Sequence, residues 1–226
     1  MKAVCEIYQA ALGLNEAGVH VISLDEKTGI QALECKAPIQ PMEPGQAERR
    51  EFEYTRHGTL CLTANFEVAT GKIVEPTIEP TRTEEQLVAH IERLIDTDPE
   101  AGWVFVADHL NTHVSEGLVR LVAERCEIDD DLGVKGQSGI LRSKATREAF
   151  LKETTHRIRW IYTPKHCSWL NQVEIWFSIL SRRLLKRASF ASLAELEGRL
   201  RQFIDYFNRT MAKPFKWTYA GRPLRA

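Results

Sequence analysis

Asp25, Asp108 and Glu174 stand out among the acidic residues of this 226-residue chain because of what precedes or follows each of them. Asp25 closes the apolar run from Val19, and Asp108 closes the run Trp103–Ala107. Glu174 lies at the start of a stretch in which Val173, Trp176, Phe177, Leu180 and Leu184 recur at i, i+3, i+4, i+7 and i+11, the stripe of an amphipathic helix. Carboxylates brought together supply hard oxygen ligands, and Mg²⁺ needs only a few because it keeps several waters. Two such ions about 3.5–4 Å apart can activate an attacking oxygen and stabilise the leaving oxygen of an in-line phosphoryl displacement. Without metal, the same acids repel one another, and at least one pKa rises.

Each acid also has a plainer reading. Asp is common in the turn after any strand. Asn171-x-x-Glu174 has the spacing of a capping box, with Leu170 and Ile175 placed for the accompanying staple. Against capping, Ser178 and Ser181 continue the face of Glu174 and would let another element approach closely. Spacing alone does not choose between these readings.

The elements that would position the acids follow from periodicity. Residues 3–16 read as a short helix, and Val19–Asp25 as a strand. Pro38, Pro41 and Pro44 mark a loop that ends in the charged run Glu48–Glu53. Thr59–Val68 and Lys72–Glu79 flank Ala-Thr-Gly and read as a hairpin. Thr83 caps a helix over 83–96, and Trp103–Ala107 is apolar throughout, as in a strand buried on both faces. A helix over 114–125 follows, then a glycine-containing acidic loop over 129–146, a strand over 157–163, and helices over 170–187 and 193–208. A hairpin leading into alternating helices and strands predicts an α/β fold, a mixed sheet with helices on its faces.

The five cysteines (5, 35, 61, 126, 167) are scattered, which argues for free thiols and against a cysteine zinc site. No run of 18 apolar residues predicts a membrane span, and the N-terminus lacks the pattern of a secretory signal. The net charge of −1 hides an asymmetry: from His156 onward there are 14 Lys/Arg against 4 Asp/Glu, and before it 16 against 27. A basic, aromatic-rich final third suggests a polyanion partner, although a solvated helix surface would have the same composition.

Three segments carry a family resemblance: VISLDEKTGIQA (21–32), VFVADHLNTH (104–113) and YTPKHCSWLNQVEIWFSIL (162–180). A fourth, RHGTLCLTANFEVATGK (56–72), falls on the hairpin, and the tail YFNRTMAKPFKWTYAGRPL (206–224) adds to the likeness. Together they resemble bacterial insertion-sequence transposases of the mariner-like superfamily, DDE superfamily endonucleases with an RNase H-like catalytic domain. The resemblance implies a mixed sheet with helices on both faces plus C-terminal helices. It implies metal-dependent DNA strand cleavage and strand transfer, with Asp25, Asp108 and Glu174 as catalytic acids holding two Mg²⁺ or Mn²⁺ ions. It implies DNA as partner, both transposon ends and target, a homodimer in the synaptic complex, and a bacterial cytoplasmic, nucleoid-associated setting. Two other readings remain: an RNase H-like nuclease that does not join strands, and a decayed remnant that binds DNA without catalysis.

The chain departs from the family pattern in three places. The second and third acids lie 66 positions apart (174 − 108), about twice the spacing in many relatives, so residues 128–156 read as an insertion. His109 follows the second acid where relatives often have Asn, while His113 matches a common histidine; the two could also form an i, i+4 metal-ligand pair. Only residues 1–17 precede the first strand, reading as a helical linker remnant before a catalytic domain at 18–226, so the usual DNA-recognition modules are expected to be missing. Candidate DNA contacts are Lys165, His166 and Trp169 before the third acid, Arg182, Arg183 and Lys186 after it, and Lys213 and Lys216 in the tail. Trp103 and Trp176 are expected in the core.

Overall fold

A computed structural model of the chain describes residues 1–38, 40–49 and 52–221. Arg50 and Glu51 of the charged run and residues 222–224 of the tail lie outside the described residues. The strands are β1 (Val19–Cys35), β2 (Tyr54–Glu67), β3 (Ile73–Glu79), β4 (Gly102–Ala107) and β5 (Ile158–Tyr162). They form one sheet in the order β3-β2-β1-β4-β5. The short turn after β2 makes β2 and β3 antiparallel neighbours, β2 also pairs antiparallel with β1, and β4 and β5 follow helical crossovers and run parallel to β1. The helices are α1 (Lys2–Glu16), α2 (Glu84–Ile95), α3 (Glu116–Arg125), α4 (Lys144–Leu151), α5 (Gln172–Arg183) and α6 (Leu193–Thr210).

Strand alternation divides the apolar side chains between two cores. Val21, Val104 and Val106 face α1, α5 and α6, which contribute Val4, Tyr8, Val173, Trp176, Leu200 and Ile204. Ile22, Leu24, Phe105 and Trp160 face α2, α3 and α4, which contribute Leu87, Ile91, Leu118, Val122 and Leu151. Burying each large side chain stabilises the fold by about 1.5–3 kcal/mol, so both helical layers are bound firmly to the sheet. Trp103 and Trp176 are buried, as expected from the sequence. Helix α1 belongs to this packing: Val4, Cys5, Ile7, Tyr8 and Ala11 are buried.

Two elements differ from the sequence expectation. Strand β1 does not stop at Asp25 but continues to Cys35, paired with β2 across irregularities between Lys27 and Ile30 and between Gln31 and Leu33. Gly29, at φ 66°, takes up the first of these as a bulge. The loop expected over 129–146 runs as far as Gly139 and then gives way to a 3-10 turn at Ile140–Arg142 and to α4. Ser143 and Thr146 form a reciprocal capping box at the start of α4. Thr replaces the usual Glu or Gln of that motif, so the start signal is weak in the sequence. Among the described residues, no helix is long and apolar enough to cross a membrane.

The tail after α6 runs back across the first core. Phe215 stacks on Phe66 with ring centroids 4.7 Å apart, and Trp217 meets Tyr8 edge-on at 5.1 Å. At Gly71, φ is 72° and a Cβ would lie 2.0 Å from the Lys213 carbonyl oxygen. Gly71→Ala is therefore expected to cost at least about 2 kcal/mol, read as a lower urea midpoint with an unchanged slope.

Candidate active site

The parallel pairing of β1 with β4 runs from Val19↔Gly102 to Ser23↔Val106, a constant offset of 83 (106 − 23). Two residues further, the same offset sets Asp25 level with Asp108. Adjacent strands are about 4.8 Å apart, so the two carboxylates emerge side by side. Asp25 shares the parity of Val21, and Asp108 that of Val104 and Val106, so both belong to the face that α5 covers.

Each aspartate is fixed by a nearby backbone N–H. The backbone N–H of Glu26 donates to Asp25 Oδ1 at 2.8 Å, and that of Leu110 to Asp108 Oδ1 at 2.9 Å. Asn171, buried at the N-terminus of α5, donates its amide to the Leu24 carbonyl at 2.8 Å and to Asp25 Oδ2 at 3.3 Å. Its amide oxygen accepts from Ser23 Oγ, which in turn accepts from the Val173 N–H at 2.9 Å. The side chain of Asn171 is thus spent on β1. The capping box that Asn171 and Glu174 could form does not exist, because Asn171 makes no side-chain cap. The staple is absent too: Leu170 is buried, but Ile175 is exposed.

His113 holds the second aspartate from behind. Its ring is fully buried, with Nδ1 2.8 Å from Asp108 Oδ1 and Nε2 3.2 Å from Glu26 Oε1. Burial alone would depress this imidazole, but the hydrogen bonds to Asp108 and Glu26 prevail and push it up to about 10. The bond from His113 holds the Asp108 carboxyl below the usual carboxylate range. Asp25 behaves oppositely. Burial pushes it up to about 7, with the charges of Asp108 and Glu26 adding to the effect against the opposing Glu26 N–H bond. An oxygen-donor pair with one member ionised and the other still holding a proton near neutrality fits a divalent cation, which can displace that proton.

Glu174 occupies the first turn of α5 and is partly exposed, one turn from Asn171 on the same side of the helix. Among the described residues, no group of three His, Cys, Asp or Glu side chains is close enough to form a preassembled metal cage. The structure thus brings Asp25 within electrostatic reach of Asp108, and Glu174 lies one turn along α5 from the Asn171 that bonds Asp25. The i, i+4 histidine pair does not form. Residues 109–113 are not α-helical, and His109 turns away to the Thr163 carbonyl (3.0 Å) and Glu148 (3.3 Å).

A cleft of about 610 Å³ opens beside Asp108 and is lined by His109, Lys144, Thr163, Lys165 and His166. Two expected DNA contacts, Lys165 and His166, are therefore exposed in the cleft beside Asp108, and His166 adopts a left-handed φ of 62°. Such a conformation is costly for a non-glycine residue and concentrates at functional loops. Trp169 is exposed, edge-on to Tyr219 at 5.2 Å. Arg182 and Arg183 line a separate cleft of about 650 Å³ with Met211, roughly 12 Å or more along α5 from Glu174. Lys186 and Lys216 are exposed. Lys213 lies over the β2–β3 turn, where Val68 bonds Val21, toward the end of the sheet away from Asp25.

The sequence reading missed Glu26, Asn171, Lys144 and Glu148. Glu26 carried one signal, an acid at the parity of Ile22 and Leu24 in a strand buried on both faces.

Residues 20–197 match a family model described as DDE superfamily endonuclease. No curated protein sequence matches the chain. Among solved structures, the Mos1 transposase paired-end complex with left transposon end is similar at TM-score 0.53 and 16% identity, over 96% of this chain and 55% of that one. The Mos1 mariner paired end complex with Mn is similar at TM-score 0.51 and 14% identity, over 91% of this chain and 54% of that one. The likeness is one of fold, the RNase H-like mixed sheet, and this chain spans about half the length of those relatives.

Because Asp25 is raised, the metal-free folded state holds a proton that the unfolded state releases near pH 4. Stability from this group is full below about pH 4 and is lost as pH rises through about 7. In the presence of chelator, Asp25→Asn should therefore be more stable than the parent at pH 8, by on the order of 2 kcal/mol. The difference should vanish near pH 4. Urea titrations at the two pH values measure it, and equal stability of the two proteins at pH 8 would contradict the assigned burial cost.

Proposed function

Because the chain belongs to the DDE superfamily endonuclease family, we propose that it is the catalytic domain of a transposase, cutting DNA at transposon ends and joining the ends to a target. The observation that carries this reading is the level pair Asp25 and Asp108 on the face covered by α5, with Glu174 in the first turn of that helix. In this reading the catalytic domain is residues 18–226 together with α1, which packs in its first core, and 128–156 is an insertion.

Asp25, Asp108 and Glu174 would hold two divalent ions, Mg²⁺ or Mn²⁺, which when bound would activate the attacking oxygen and neutralise the leaving one. A Mos1 relative is a complex with Mn, and another is a paired-end complex with a transposon end; the same kinds of partner, in a synaptic homodimer, are proposed for this chain. Its own residues do the positioning. His113, charged between Asp108 and Glu26, keeps Asp108 ionised and ready to accept a cation. Asn171 aims Asp25 by tying its Oδ2 to the fixed Leu24 carbonyl. Lys165 and His166, beside Asp108 in the cleft, would neutralise a backbone phosphate near the scissile one. Exposed Trp169 offers a face for an unpaired base. Arg182, Arg183, Lys186, Lys213 and Lys216 would follow the backbone further away. Contacts of this kind are read through phosphates and carry little sequence preference.

The test is Mn²⁺-dependent cleavage of DNA bearing candidate transposon ends, with a 3′-hydroxyl DNA offered as nucleophile. Asp25→Ala, Asp108→Ala and Glu174→Ala should each lower the rate by at least about a thousandfold while the variants still fold, as read by circular dichroism. Activity kept in any of the three removes that residue from the site. Joined products support the transposase; cleavage without joining indicates a nuclease, and DNA binding without cleavage a decayed remnant. Lys165→Ala should weaken DNA binding and reduce its log–log salt slope by about 0.9. An unchanged slope would show that Lys165 meets no phosphate.

A further inference from the structure

Helix α4 carries Lys144, Arg147 and Glu148 at i, i+3 and i+4, one face of a two-turn helix. In the sequence such a face reads as solvated charge. In the fold all three side chains turn onto the loop that follows Asp108. Lys144 Nζ donates to the His109 carbonyl at 2.7 Å and to Asn111 Oδ1 at 2.9 Å. Arg147 Nε donates to the Val114 carbonyl at 2.9 Å, and Glu148 Oε1 lies 3.3 Å from His109 Nε2. Both ends of the loop, at 109 and 114, are thus held from one helix. Phe150 and Leu151 seat that helix in the second core, and Arg147 also reaches the Leu141 carbonyl at 3.2 Å.

The loop needs such support. Between Asp108 and Ser115 its internal backbone bonds are His113 N to Leu110 O at 3.1 Å and Val114 N to Asn111 O at 3.2 Å. Yet this loop supplies both groups that orient Asp108, the Leu110 N–H and the His113 ring. We propose that α4 braces the Asp108 loop and that Lys144 is a positioning residue for cation binding at Asp25 and Asp108. The inference rests on the function proposed above. Ligands must be held within about 0.5 Å of their working geometry, and removing groups that orient metal ligands typically costs 10–100-fold in affinity. His109 follows from the same arrangement. It is the loop residue whose ring can meet Thr163 on one side and α4 on the other.

The test compares Lys144→Met, Lys144→Arg and the parent in three measurements made without catalysis. These are Mn²⁺ affinity by calorimetry, DNA affinity in chelator, and amide hydrogen exchange. Lys144→Met should weaken Mn²⁺ binding about tenfold, with melting temperature and DNA affinity unchanged. Exchange should speed up over 109–114 but not in β1 or β4. Lys144→Arg should recover most of the Mn²⁺ affinity. Unchanged Mn²⁺ affinity in Lys144→Met overturns the proposal. Loss of DNA affinity with Mn²⁺ binding intact also overturns it, and marks Lys144 as a phosphate contact instead. If the parent binds no Mn²⁺, the proposed function fails, and the exchange rates over 109–114 then decide the brace by themselves.

Discussion

Two carboxylates on neighbouring parallel strands, Asp25 within β1 and Asp108 just past the end of β4, repel each other, and the surrounding structure is arranged around that repulsion. The β1–β4 register makes Asp25 and Asp108 level, so the repulsion cannot be relieved by distance. It is relieved by charge instead. The His113 imidazolium, buried between Asp108 and Glu26, favours the ionised form of one aspartate, and burial leaves the other holding its proton up to about pH 7. The pair divides into one anion and one acid by environment alone. A divalent cation would restore both charges to use.

The remaining architecture fixes the geometry of that pair. Helix α5 is anchored by Val173, Trp176 and Phe177 to one core, and its N-terminal Asn171 is bonded directly to β1. The third acid therefore rides on an element whose position relative to Asp25 is set by buried hydrogen bonds. On the opposite face, α3 and α4 are bound to the second core. Glu26 and His113 come through that side, and α4 reaches around to hold the loop between them and the cleft. Both layers thus contribute to one site between β1 and the C-terminal end of β4, delivered from a rigid base.

Much of the fold was legible in residue order. The hairpin, the helix over 84–95 and the apolar strand β4 follow from composition and periodicity, because each local preference agrees with its place in the fold. Helix α4 was not legible. Its Ser-x-x-Thr start is a weak form of the capping motif, and the acidic, glycine-bearing stretch before it reads as loop. Strand β1 was cut short because its apolar run ends at Asp25, whereas pairing with β2 carries it on through polar residues and a bulge at Gly29. At Glu174 the capping spacing was misleading. Whether Asn171 caps its helix or bonds a strand depends on a residue 148 positions away, Ser23.

The sequence by itself determined which residues are available for chemistry. Asp25 and Asp108 close apolar strands, and Glu174 stands at the head of an amphipathic helix. Alternation along a strand is local, so it also determined that Asp25 and Glu26 point to opposite faces. Tertiary structure decided everything that depends on pairing. The offset of 83 between β1 and β4 makes the aspartates neighbours. The packing of α3 places His113 between Asp108 and Glu26, and the folding back of α4 turns three surface-type charges onto the Asp108 loop. These contacts join residues far apart in the chain, and no local preference encodes them. They arise only when both cores close on the sheet.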